Sequence, residues 1–264
     1  MEFSSKKYGT IPFKICLGPT HRIYVISGAE MTTAFFKESR RLTGIPTFTR
    51  AMEQAFGCGP KAAKFYLADD SGMYPTPYPT STVKPENRIN YIIHKMVNTY
   101  LTGSSLDSMT ARYQQNLARK VSEAEIGNEW VDIPDFYRFF QAYILEAAVR
   151  SMYGDYILSL NPTFSEDFAD YDKRMHSLIY SLPRWMDSKA YAARDKMIEN
   201  IKRWHRFAHQ HYDVSDGKAE RDQCEWEPYF GSKFGRVRQA TFMKTPPMDD
   251  ETARAAEDLG ILWG

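Results

Sequence analysis

Cysteine is scarce: Cys16, Cys58 and Cys224 are the only three among 264 residues. They are too few and too scattered for a disulfide framework, which fits a reducing, intracellular compartment. An excess of one charge is missing as well. With 34 basic and 33 acidic residues the formal net charge is +1, which argues against a nucleic-acid binder held by bulk charge. No run of about 18 apolar residues is present, so no transmembrane helix is expected. The opening "MEFSSKKYGTIPFK" lacks the apolar stretch of a signal peptide. Nothing repeats at a fixed period. A Walker loop, G-x-G-x-x-G, G-x-S-x-G and H-E-x-x-H are all absent, which removes the best-marked nucleotide, hydrolase and metalloprotease readings.

What is present is core-forming material. Hydrophobic residues make up 43% and aromatics 14% of the chain, enough to bury a substantial core. The runs Pro12–Leu17 and Arg22–Ser27 are β-prone and flank "GPTH", a hairpin pattern. After Gly28 the spacing of Ala29, Thr33, Phe36 and Leu42 predicts a helix. "IPTFTRAMEQAFGCGPKAAKFYL" reads as short helices broken at Gly57, Gly59 and Pro60. Between Asp69 and Asn87 come Pro75, Pro77, Pro79 and Pro85 among small polar residues. A loop this long is seldom kept in a compact domain unless it forms a lid or a binding surface.

Helical periodicity then dominates. Ile89, Ile92, Ile93, Met96 and Tyr100 form one stripe. Leu106, Met109, Tyr113, Leu117 and Val121 form the next, with Ser104 or Ser105 as the expected N-cap. A helix between Pro134 and Gly154 shows the usual terminal asymmetry. Another is expected to start at Ser165 and stop before Pro183. A long one covers "SKAYAARDKMIENIKRWHRFAHQHY", and a last one "DDETARAAEDLGILWG". The expected fold is mainly α with a small β element near the N-terminus.

No active site can be assembled from residue chemistry alone. His205 and His209 lie one turn apart and could share a metal, but no acidic ligand falls at helical spacing. A solvated helix end, where histidines favour the dipole terminus, is the preferred reading, with His211 off that face. In "AFGCGP" a haem-thiolate motif would need Phe, Gly and Gly where Ala51, Gln54 and Pro60 stand, so Cys58 reads as a small apolar residue. Cys16 sits in a strand pattern. Cys224 precedes Glu225 and Glu227, whose charge disfavours a thiolate. The pairs Asp69–Asp70 and Asp249–Asp250 read as turn and cap residues.

Taken in order, the segments are more telling. "YGTIPFKICLGPTHRIYVISGAEMTTAFFKESRRLT" resembles the first strands and following helix of a cytochrome P-450. "SGMYPTPYPTSTVKPENRINYIIHKMVNTYLTGSSLDSMTARYQQNL" resembles that family's loop from helix B to helix C, then helices C and D. "LNPTFSEDFADYDKRMHSLIYSLPRWMDSKAYAARDKMIENIKRWH" is similar to the middle helices of a fungal branch related to the prostacyclin-synthase and sterol 7α- and 12α-hydroxylase clan. "ARAAEDLGILWG" resembles the opening of helix I. The resemblance is collinear from about Tyr8 to Gly264 and rests on order rather than on one diagnostic motif.

It implies a single partial P-450 domain over residues 1–264. Residues 1–28 would hold the hairpin, 69–87 the proline-rich loop and 88–264 a helical region reaching the start of helix I. Ile261, Leu262 and Trp263 would then be the bare end of a helix cut from its buried continuation. In the family this chemistry is haem-thiolate monooxygenation of a lipophilic small molecule or secondary metabolite. Electrons come from NADPH-cytochrome P-450 reductase at the endoplasmic reticulum membrane. In the family the iron-ligating cysteine loop and the E-x-x-R pair come after helix I, beyond the segments that carry the resemblance. By itself the chain is therefore expected to bind no haem stably and to be inactive. Arg88, His94 and Lys95 are the candidate cations facing the haem propionates, against a plain reading as surface or capping cations. Phe65, Tyr66, Met73, Tyr74 and Tyr78 are candidate substrate-pocket residues. A non-catalytic helical binding or scaffold protein, or a gene-model fragment, are the alternatives.

Overall fold

The computed structural model describes residues 9, 11–17, 21–38, 42–124, 127–214 and 217–263. The chain divides into two compact units, Met1–Pro46 and Thr47–Gly264. In the first, β1 (Phe13–Leu17) and β2 (His21–Val25) pair antiparallel, with Phe13 opposite Val25 and Ile15 opposite Ile23. β-Branched and aromatic side chains on both strands suit a pleated ribbon. The hairpin is where the sequence puts it; Gly18, Pro19 and Thr20 of its expected turn lie outside the described residues. Helix α1 (Ala29–Lys37) follows, and its end at Lys37 leaves Leu42 off the face predicted for it.

The second unit is helical, with one further ribbon. Its helices are α2 (Ile45–Gln54, from Thr47 on), α3 (Gly59–Ala68), α4 (Ile89–Tyr100), α5 (Ser104–Ser122) and α6 (Phe136–Tyr153). Then come α7 (Tyr156–Ser159), α8 (Phe164–Ile179), α9 (Ser188–His211) and α10 (Lys218–Arg221). After β3 (Trp226–Glu227) and β4 (Gly231–Ser232), which pair antiparallel, α11 (Lys233–Met243) and α12 (Glu251–Trp263) complete the order. Among the described residues no helix is long and apolar enough to cross a membrane.

Helix ends follow elementary capping chemistry. Asp135 accepts from the Arg138 amide at 3.0 Å, Asp187 from Ala190 at 3.1 Å, and Asp250 from Thr252 and Ala253 at 2.9 and 3.1 Å. Each carboxylate takes an amide that has no partner inside the helix. Two serine caps expected from the sequence are displaced. Gly103 occupies the N-cap of α5, with Ser104 and Ser105 inside the helix, and Thr163 occupies that of α8, with Ser165 inside.

The core sits where α9 meets α7, α8 and α12. Trp204 of α9 is fully buried. Its Nε1 donates to the Tyr229 carbonyl at 2.6 Å, and its ring meets Tyr153 edge-on with centroids 5.3 Å apart. Helix α12 is unusual in its burial. Ala253 through Leu259 are all buried, so no side of this stretch faces water. A helix enclosed all round is normally apolar, yet this one contains Arg254, Glu257 and Asp258. Farther along, Ile261 and Leu262 pack partly buried against the core, and the Trp263 indole donates to Asp172 at 3.0 Å. The expected bare apolar end is thus half-covered: 38% of Trp263 is exposed, and its ring approaches Phe56.

Candidate functional site

Two polar centres are built into the second unit. The first closes the proline-rich loop. Asp69, at the end of α3, accepts from the amide and hydroxyl of Ser71 at 3.0 and 2.6 Å, and from the amide and side chain of Asn90 at 2.8 and 3.0 Å. It therefore ties the start of α4 to the end of α3 while making the turn expected of it. Asp70 accepts from Ser81 Oγ at 2.5 Å.

Arg88 is buried beneath the same loop. Its Nε donates to Ser71 Oγ at 2.9 Å, Nη1 to the Pro75 carbonyl at 2.8 Å and Nη2 to the Tyr74 carbonyl at 2.6 Å, while its guanidinium lies 4.5 Å from the Tyr91 ring centroid. The fork of donors satisfies loop carbonyls that a proline-rich segment, short of amides, cannot pair by itself. His94, one turn on, meets the Tyr74 ring at 6.4 Å between centroids, and Lys95 is exposed.

The five aromatic and apolar candidates part company. Met73, Tyr74 and Tyr78 are exposed on the loop. The Tyr78 ring covers Gly72, whose φ of +81° and lack of a Cβ permit that approach. Phe65 packs partly buried against the core. Tyr66 is fully buried, and its hydroxyl donates to Glu257.

That hydroxyl opens the second centre, which joins five helices. Arg238 of α11 is 0% exposed, Glu257 and Asp258 of α12 are 4% and 2%, and His205 of α9 is 1%. Arg238 donates from Nη2 to Glu257 Oε2 and from Nε to Asp258 Oδ1, both at 3.2 Å. His205 Nε2 lies 2.8 Å from Asp258 Oδ2, and Gln239 Nε2 donates to the same oxygen at 2.9 Å. Tyr153 of α6 donates to the Asp258 carbonyl at 3.4 Å.

Burial and environment separate the two adjacent carboxyls. Burial pushes Glu257 up, against the pull of Arg238 and the Tyr66 hydroxyl. Asp258 ends below the usual range although burial alone would raise it, because His205 and Arg238 bond its charged form. Burial and the Glu257 charge hold the Tyr66 phenol well above its ordinary value, so it remains a donor.

His205 and His209 are therefore not part of a solvated helix end. His205 is sealed in the core with Nε2 committed to Asp258, so it does not share a ligand with His209; their ring centroids are 6.5 Å apart. Burial, then the neighbouring His205 and Arg254, lowers His209 to about 4. His211 is exposed and stacks on Tyr229. Among the described residues no three or more His, Cys, Asp or Glu side chains are grouped to hold a metal ion.

Haem, the cofactor that the resemblance implies, asks for an axial thiolate. The cysteines present do not fit. Burial, then Glu257 and Glu53, pushes the Cys58 thiol up to about 12, and its Sγ lies 3.5 Å from the Gly59 carbonyl. Cys224 donates its thiol to the Trp226 carbonyl at 2.8 Å, and Cys16 is exposed on β1. A buried thiol among carboxylates is inert rather than a ligand.

The structure thus defines a mainly helical protein with two small antiparallel ribbons, a loop closed by Arg88 and a sealed ionic centre under α12. Comparison with known proteins shows what the chain is similar to. The chain is 35% identical over its whole length to cytochrome P-450 monooxygenase fsoE of Humicola fuscoatra, and 36% identical over 98% of its length to cytochrome P-450 monooxygenase efuG of Hormonema carpetanum. A third relative, cytochrome P-450 monooxygenase calL of Penicillium decumbens, is 25% identical over 84% of the chain. The chain is homologous to part of the fungal cytochrome P-450 monooxygenases, spanning 43% of the length of the first two. No family model matches it.

Proposed function

We propose that the protein to which this sequence belongs is a haem-thiolate monooxygenase acting on a lipophilic small molecule. It would place one atom of dioxygen in the substrate and reduce the other to water, using two electrons and two protons delivered through an NADPH-dependent reductase. The observation behind this reading is collinear similarity to fungal monooxygenases along the whole chain. Haem, when bound through a thiolate, supplies the oxygen activation. The thiolate is assigned to sequence other than Cys16, Cys58 and Cys224.

The chain's own share is scaffold and enclosure. Arg88 and Asp69 hold the loop 69–87 in one closed arrangement, and the exposed Met73, Tyr74 and Tyr78 are its apolar candidates for meeting substrate. Arg88 spends its donors on loop carbonyls, so a role toward a propionate would fall to His94 or Lys95. The test is expression of the transcript, read through and beyond the Gly264 codon, in a host supplying the reductase under isotopically labelled dioxygen. A lipophilic product carrying one labelled oxygen is expected. Turnover by residues 1–264 alone, or product oxygen drawn from water, would overturn the reading.

A further inference from the structure

An arginine three positions before a hydroxyl residue, with a second cation two positions before it, occurs at two places in the chain: Arg40-Arg41-Leu42-Thr43 and Arg119-Lys120-Val121-Ser122. That spacing has a chemical meaning. A kinase cleft lined with carboxylates takes such a segment in extended form and pairs with both cations while the hydroxyl reaches the nucleotide. Spacing alone does not choose between the two segments; the fold does.

Ser122 ends α5, and all four residues of its motif are helical. Lys120 pairs with Glu146 of α6 at 2.7 Å, and Arg119 Nη2 donates to Asn116 Oδ1 at 3.3 Å. Ser122 Oγ donates to the Arg119 carbonyl at 2.6 Å. Presenting this motif in extended form would unwind the last turn of α5 and break its tie to α6.

The Thr43 motif is placed differently. Leu42, Thr43 and Gly44 form an irregular, exposed stretch between the end of α1 at Lys37 and the start of α2 at Ile45. A Cβ placed on Gly44 would meet no atom within 4 Å. Thr43 Oγ1 accepts from the Ile45 amide at 3.3 Å, and among the described residues its hydroxyl donates to no acceptor. Such a stretch can be drawn into a cleft without melting a helix. Arg40 and Arg41 lie outside the described residues and enter through their sequence positions alone.

We propose that Thr43 is a phosphorylation site for a basophilic serine/threonine kinase and that Ser122 is not. Thr43 Oγ1 attacks the γ-phosphorus of ATP. The new P–O bond forms as the bond to ADP breaks, and the hydroxyl proton passes to a carboxylate of the kinase. The product carries about two negative charges beside the start of α2. No acidic residue stands in the first turn of that helix, and a helix N-terminus favours an anion.

The test incubates the purified chain with magnesium, ATP and the catalytic subunit of cAMP-dependent protein kinase, and locates the phosphate by peptide mass spectrometry. Phosphate on Thr43 is expected. T43A should lose it, T43S should keep it, and S122A should label like the parent. R40A/R41A should slow labelling by about tenfold or more, the loss of at least one charge-assisted pair. Thr43 is exposed, so its substitution leaves the core untouched. An unlabelled chain, labelling of Ser122 to the same extent as Thr43, or an undiminished rate in R40A/R41A overturns the proposal.

Discussion

Arg238→Met is expected to destabilise the second unit by about 3–5 kcal/mol, the usual cost of removing one member of a buried ionic group. The arginine is fully enclosed and bonds both Glu257 and Asp258. Methionine fills much of the volume but leaves carboxyl oxygens without a cation and without water. For a domain of this size the midpoint of thermal unfolding should drop by about 10 °C. The cost belongs to the stranded partners rather than to the salt bridge itself, which gives a sharper expectation. The triple variant R238M/E257Q/D258N should recover a large part of the loss, since it removes the charges that R238M strands. Calorimetry on the two variants separates these cases. A mild effect from R238M alone would mean that water reaches the centre.

Gly231→Ala is expected to cost about 3 kcal/mol or more, close to the upper range for single substitutions. Gly231 begins β4 with φ of +73°, a conformation strained for any residue with a Cβ. An added Cβ would also meet backbone atoms of Met152, Tyr153 and Gly154. Backbone on the far side cannot rotate away as a side-chain tip could, so the ribbon β3–β4 would have to separate from the end of α6. Overpacking and left-handed strain therefore add. Denaturant unfolding should show the lowered midpoint together with faster exchange of the Gly231 to Gly235 amides. Wild-type stability in this variant would contradict the close approach.

Much of the helical order was legible because it is written locally. The apolar stripe of α4, the Pro134 start and Gly154 stop of α6 and the long run of α9 depend on neighbours within a turn or two. The loop 69–87 was legible as irregular from its prolines, but the role of Arg88 was not, because its partners are two backbone carbonyls and a serine that no side-chain pattern announces. Helix α11 was missed. "KFGRVRQATFM" contains a glycine and two arginines and reads as exposed, yet Arg236 and Arg238 are fully buried. Strands β3 and β4 are two residues each, too short to show alternation.

The ionic centre was missed for a related reason. Arg254 stands four residues before Asp258, and such spacing suggests an ordinary surface pair. In the fold Arg254 turns instead to the Asp249 carbonyl, and the carboxyls take partners from α3, α9 and α11. Tyr66 and Glu257 are 191 positions apart, beyond any local rule. The one sequence signal available was the set of small residues around "ARAAEDLG", since a helix with alanine on several sides is built to be enclosed.

The reading of the chain as P-450 scaffold without the iron ligand rests on its three thiols. Its most direct test is the ferrous–carbon monoxide difference spectrum of the purified chain after incubation with haem. No band of the thiolate-ligated type is expected, with the spectra of C16S, C58S and C224S indistinguishable from that of the parent. A thiolate-type band that disappears in any one of those variants would contradict it.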